Sequence, residues 1–184
     1  CVAEAARALA LRCEWISDDG TRLKLTGGRR AFRFWRNKHP FNDYVEARLA
    51  EDKAYQYEDF VAAGLPTPFT VKYFNPLADP RFDRYKSHAT VTKIVEDIEA
   101  RFDFPLVVKK YRSSLAQGVF LERDAAALEK RLTDIFTHSA FLDNIVLVQQ
   151  FITGPEYRVI ASHNELLLAY GKEGETSDVD GDLN

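Results

Sequence analysis

The feature that most restricts the fold is the run Leu106-Val-Val108. It enters behind Phe104-Pro105 and leaves into the lysine pair Lys109-Lys110. It is too short for a helix and is bounded by a proline and a small-residue loop, which together describe a buried strand. A second such run, Ile145 to Gln149, leads into Phe151-Ile-Thr-Gly-Pro155 and then Glu156. Between and before these runs the apolar residues change period. Val91, Ile94, Val95, Ile98 and Phe102 share one helical face, and so do Leu128, Leu132, Ile135 and Phe136 behind a capping Asp124. Strands alternating with amphipathic helices and short hairpins predict an α+β fold, with helices covering a small mixed or antiparallel sheet.

The rest of the chain fits around that centre. Residues 2–13 read as one helix, from Val2, Ala6, Leu9 and Cys13 at helical spacing. Leu23–Leu25 and Ala31–Trp35 flank a Gly27-Gly28 turn and predict a β-hairpin. Pro40-Phe-Asn42 introduces a helix that Asn42 or Asp43 can cap. Asp52 to Ala63 predicts another, stopped by Gly64. Phe69 to Phe74 is a strand, and 75–90, with two Pro and scattered charge, is a surface excursion. Gly118–Leu121 is a strand, as are Glu156–Ala161 and Leu166–Tyr170 around His163-Asn164. Residues 171–184 form an acidic tail. Three segments are expected: 1–66, a leading helix, hairpin and helices; 67–148, a small α+β subdomain; and 149–184, a hinge and the first strands of a further subdomain.

Composition narrows the class. The chain has 184 residues, 46% hydrophobic and 29% charged, as in a folded globular protein. A net charge of −3 argues against nucleic acid or a membrane surface as the main partner. No apolar run approaches the roughly 20 residues of a membrane span. Two cysteines, Cys1 and Cys13, make a disulfide framework unexpected and point to a reducing cytoplasm. No signal peptide opens the chain, and the absence of methionine reads as something other than a complete translation product.

The two apolar runs carry the chemistry. A triphosphate needs fixed positive charge and oriented N–H donors. Lys109 ends a stiff strand, and Ser113, Ser114, Ala116 and Gly118 are small enough for main-chain N–H groups to close over phosphates. No Walker A pattern occurs. Beyond Gln149 the backbone edge leaves its strand, and a C=O and an N–H two residues apart match the amino group and ring nitrogen of adenine. The plain alternatives are a charged strand end and a pair of surface residues, Glu156 and Arg158.

Taken in order, Asp52-Lys53 before Gly64-Leu-Pro-Thr-Pro68, then Phe104-Pro-Leu-Val-Val-Lys109 with Gln117-Gly-Val119, then Gln149-Gln-Phe-Ile-Thr-Gly-Pro-Glu-Tyr-Arg-Val159 resemble the ATP-grasp superfamily of carboxylate–amine ligases. The cyanophycin-synthetase and glutathione-synthetase-like branches are the most similar in the Glu-Tyr-Arg-Val run. The resemblance covers about residues 43–171. It implies ATP and Mg²⁺ as cofactors, a small-molecule carboxylate and amine as substrates, and an amide formed through an acyl phosphate. It also implies roles. Lys53 and Lys109 hold phosphates, and Ser113, Ser114 and Gly118 form a flap. Gln149, Gln150 and Ile152 border the adenine, Glu156 takes the ribose, and Arg158 faces the phosphates or the acyl group as the catalytic candidate. Lys110 stands where the family has proline, Ser113 and Ala116 where it often has glycine, and Gln149 where glutamate is common.

The Mg²⁺ ligands are unassigned. Glu173, Glu175, Asp178, Asp180 and Asp182 are acidic, but Asp178-Val-Asp-Gly-Asp182 does not match an EF-hand loop. The chain is therefore expected to bind nucleotide poorly and turn over slowly. Oligomeric state is open. A second reading is a non-catalytic binding module, with RNA contacts through 22–39. That stretch holds seven Lys or Arg and no acid, interleaved with Phe32, Phe34 and Trp35. A hairpin with apolar residues inward and arginines outward accounts for the same pattern. Acidic-substrate binding is a third option for it. The four histidines lack metal-ligand spacing.

Overall fold

The computed structural model describes residues 2–36, 38–111, 118–138, 143–162 and 165–172. Ser113, Ser114, His163, Asn164 and the acidic residues from Glu173 to Asp182 lie outside these. The chain divides into two compact units, residues 1–51 and 52–184.

The first unit contains helix α1 (Val2–Ala8), strands β1 (Arg12–Trp15), β2 (Arg22–Gly27) and β3 (Arg30–Trp35), and helix α2 (Tyr44–Glu51). The strands form an antiparallel sheet in the order β1-β2-β3. Gly27 pairs with Arg30, which leaves a two-residue turn, and Gly28 takes the left-handed φ of +57° that such a turn requires. Leu23 and Leu25 are buried with Ala6, and Leu11, Cys13 and Phe34 pack against them.

The single helix expected over 2–13 is not what forms. It stops at Ala8, and Arg12–Trp15 is a strand. Ala10 sits at φ +53°, its N–H bonds to Arg7 O at 3.0 Å, and the Leu11 N–H bonds to Ala6 O at 2.8 Å. This is a Schellman stop, normally marked by glycine. Alanine in its place hid the stop from helical periodicity. Asp43 bonds the Val45 N–H at 2.8 Å at the start of α2, the capping role expected of it or Asn42.

The second unit contains α3 (Lys53–Ala62), β4 (Thr70–Phe74), a 3₁₀ turn at Pro80–Tyr85, α4 (Val91–Glu99), β5 (Leu106–Lys110), β6 (Val119–Glu122), α5 (Ala125–Thr137), β7 (Ile145–Gln150), β8 (Glu156–Ser162) and β9 (Glu165–Lys172). Four strands form one sheet in the order β4-β7-β5-β6, every pairing antiparallel, and β8 and β9 form a separate two-stranded sheet.

One face of the four-stranded sheet makes the core. Leu106, Val108, Phe120, Val146, Val148 and Tyr73 pack on Ile94 and Ile98 of α4 and on Leu128, Leu132 and Ile135 of α5. Full burial of each aliphatic side chain contributes about 1.5–3 kcal/mol. Polar contacts are also built into this layer. The Tyr73 hydroxyl donates to Asp97 of α4 at 2.7 Å, and burial together with that carboxylate raises its pKa. Arg131 of α5 donates to the buried Glu122 at 2.9 Å while lying 3.9 Å above the Phe120 ring.

The strand period of two assigns the other face. Val107 and Lys109 of β5 share it with Leu147 and Gln149 of β7 and with Thr70 and Lys72 of β4. These residues, not the core, set up the site.

Candidate functional site

Lys109 sits near the end of β5, on the face away from α4 and α5. Val107 opposes Gln149, so Lys109 lies diagonally across from it on the same face. The Lys109 Nζ donates to Gln149 Oε1 at 2.5 Å. Gln149 Nε2 donates to Thr70 Oγ1 at 2.8 Å, and the Thr70 hydroxyl donates to Pro68 O at 2.9 Å. A chain of hydrogen bonds thus runs from a fixed main-chain carbonyl to the ammonium. It orients Lys109 without neutralising it, because Gln149 carries no charge.

Helix α3 brings the second cation. Asp52 is its N-cap and accepts from the Ala54 and Tyr55 N–H groups, each at 3.1 Å. The other carboxylate oxygen of Asp52 accepts the Tyr111 hydroxyl, which ties the start of the helix to the residue after β5. Lys53, Gln56, Tyr57 and Phe60 follow at i, i+3, i+4 and i+7, one face of the helix. They line a cavity of about 110 Å³ with Thr67, Thr70, Lys109, Leu147 and Gln149. That volume is below the ~300–1,000 Å³ of small-molecule sites and is suited to a phosphate-sized group.

Electrostatics single this cavity out. Burial lowers the pKa of Lys109, the nearby charge of Lys53 lowers it further, and Glu156 partly offsets the effect. Burial also lowers Lys53, against the opposing charges of Asp52 and Asp143. Two ammonium groups in one partly dry space are each less stable charged than in water, and an anion between them relieves both costs.

The remaining predicted residues fall in several places. Glu156 opens β8, is exposed, and acts electrostatically on Lys109. The Gln150 N–H is taken by Phe69 O at 2.9 Å. Residues 151–155 belong to no strand, and Ile152 is 57% exposed. Gly118, at φ +72°, closes the turn into β6, where a Cβ would come within 2.5 Å of the Lys110 stem. It therefore lies against Lys110 and not among the residues lining the cavity. Arg158 is exposed on β8 opposite Tyr170 and lines none of the described cavities.

Sequence reasoning missed Gln56, Tyr57, Phe60, Thr67 and Thr70. The i, i+3, i+4, i+7 spacing from Lys53 could have found the first three. Among the described residues no group of three or more His, Cys, Asp or Glu stands close enough to hold a metal ion. No helix among them is long and apolar enough to cross a membrane.

Residues 72–184 match the family model described as a RimK-like ATP-grasp domain. The fold is similar to a RimK domain ATP-grasp protein from Sphaerobacter thermophilus at TM-score 0.51 and 22% identity, covering 70% of this chain and 43% of that one. It is similar to the D-alanine–D-alanine ligase of Bacillus anthracis at TM-score 0.51 and 21% identity, covering 70% and 36%. The chain thus spans less than half of either structure. No curated protein matches it.

Proposed function

The chain belongs to the RimK-like ATP-grasp family, and we propose that its second unit binds ATP as the nucleotide-binding portion of an ATP-dependent carboxylate–amine ligase. The observation that supports this most is the convergence of Lys53 and Lys109 on one cavity, each with its pKa lowered. Polyphosphate is the ligand that such a pair favours. On this reading Glu156 accepts from the ribose hydroxyls, and the main chain from Gln150 to Ile152 takes the base edge. Ser113 and Ser114 belong to a flap over the phosphates that ends at Gly118, which itself packs on the Lys110 stem, and Arg158 neutralises charge on the phosphates or the acyl group.

In the reaction, an oxygen of the substrate carboxylate attacks the γ-phosphorus and ADP leaves. The amine then attacks the acyl carbon, phosphate leaves, and the amine loses a proton as the amide forms. No side-chain nucleophile is needed. The protein contributes positioning and charge neutralisation. The substrates are a small-molecule carboxylate and an amine, on an amino acid or peptide, and the setting is the reducing cytoplasm expected from cysteine usage. Mg²⁺ accompanies ATP in the family, and among the described residues no group of three or more His, Cys, Asp or Glu stands close enough to hold it.

Thermal unfolding with ATP, inorganic triphosphate and adenosine tests the reading. ATP and triphosphate should each stabilise the chain, by about 2.7 kcal/mol at one hundred times Kd. Adenosine should do much less, and Lys53→Met and Lys109→Met should each abolish the gain. Equal stabilisation in wild type and both variants would refute it.

A further inference from the structure

The first unit carries a groove that the ligase reading does not use. Its volume is about 560 Å³, and it is lined by Arg22, Arg33, Trp35, Lys38, His39 and Ile16 among others, with no acid in the lining. The sheet explains how it is built. Leu23 and Leu25 of β2 pair with Phe34 and Phe32 of β3 on the core side, so Arg22, Arg33 and Trp35 fall on the other face by the strand period. An arginines-outward hairpin accounts for Arg22 and Arg33. It does not account for Trp35, which is 56% exposed on the arginine side.

The chain then turns back on itself. Trp35 and Lys38 exchange main-chain hydrogen bonds at 3.0 and 2.8 Å, and Arg36 is held at φ +52° by its N–H bond to Thr21 O at 2.8 Å. This tight corner returns Lys38, His39 and Pro40 to the groove. The His39 ring lies 5.5 Å from that of Phe41, which is itself 66% exposed.

The charges there are uneven. Lys38 is ion-paired with Glu51. Arg22 and Arg33 have no ion pair among the described residues, although Asp19 senses the charge of Arg22. Charge is also divided along the chain. Residues 1–51 hold ten Lys or Arg against seven Asp or Glu, and residues 52–184 hold fifteen against twenty-one.

Two unpaired guanidiniums suit an oxyanion in bidentate fashion. An exposed indole beside them suits a flat ring stacked on it. The Arg36 guanidinium lies over the Trp35 ring, 5.8 Å from its centroid, and an acidic peptide would satisfy the guanidiniums without using the rest of the exposed indole. Phosphates interleaved with planar bases satisfy both. We propose that this groove is a binding site for single-stranded nucleic acid, which lays phosphates on Arg22 and Arg33 and stacks a base on Trp35.

The test uses the whole chain and fluorescein-labelled twelve-nucleotide oligo(U) and oligo(dT), with a poly-glutamate peptide of equal charge as competitor. Anisotropy should show binding that weakens with salt. Arg22→Ala and Arg33→Ala should each lower the log–log salt slope by about 0.7. Trp35→Ala should weaken binding roughly 5- to 150-fold, the range of a lost base stack, and Trp35→Phe should restore most of it. Circular dichroism of each variant separates lost binding from lost fold. RNA bound more tightly than DNA would assign the ligand to RNA, and equal binding to single strands in general. Poly-glutamate displacing the oligonucleotide at equal concentration, or binding unchanged in folded Arg22→Ala, Arg33→Ala and Trp35→Ala, would overturn the proposal. Lys109→Met should leave this binding intact, so its outcome is independent of the ATP site.

Discussion

The two β-sheets of the second unit contrast sharply. In the four-stranded sheet, Leu106, Val108, Val146 and Val148 are fully buried under α4 and α5. In the β8–β9 pair, Tyr157, Val159, Leu166 and Leu167 are each more than half exposed. Both have the composition of buried strands. Only the first has its cover among the described residues. An isolated two-stranded ribbon is marginal in water, so apolar sequence by itself does not make a core. A second layer must lie against it, and the amphipathic helices at 91–99 and 125–137 supply that layer for one sheet only.

This contrast can be broken from the buried side first. Arg131→Ala takes the guanidinium away from the buried Glu122 and from the Phe120 ring, and should cost about 3–5 kcal/mol in urea unfolding. Leu132→Ala empties a fully buried position between sheet and helix and should cost about 2–5 kcal/mol. Asp52→Ala removes the N-cap of α3 and should cost about 1 kcal/mol, with a larger loss of ATP binding because Lys53 follows directly. Leu166→Ser on β9 should change stability by less than about 0.5 kcal/mol and improve solubility. A loss from Leu166→Ser as large as that from Leu132→Ala would show that the ribbon is packed against something.

The polar face of the first sheet sharpens the comparison through pH. The folded pKa of Lys109 lies below its ordinary value of 10.5. Between the two values the unfolded chain binds more protons than the folded one, so stability rises as pH rises through that window. Lys109→Met should flatten this rise and leave the chain at least as stable near neutral pH.

How much was legible follows from the range of each interaction. The buried strands, the Asp124 cap and the Gly28 turn are written within a few residues, and the sequence shows them. The end of α1 is also local, but Ala10 occupies a glycine position and gives no mark. Gln149 as the acceptor for Lys109 needs the register of two strands forty residues apart, which no spacing reveals. Gly118 is singled out by sequence as part of a phosphate loop, yet its φ and the Lys110 stem against it give a packing reason for glycine. Motif order points to Lys53 and Lys109 separately, and the fold sets both on one cavity.

The most direct test of that shared cavity is the titration of Lys109, followed by NMR of its side-chain carbon next to the amine, with and without ATP. A value below 10.5 in the free chain that climbs when ATP is added is the predicted result. A value that is ordinary in the free chain and unmoved by saturating ATP would contradict the account.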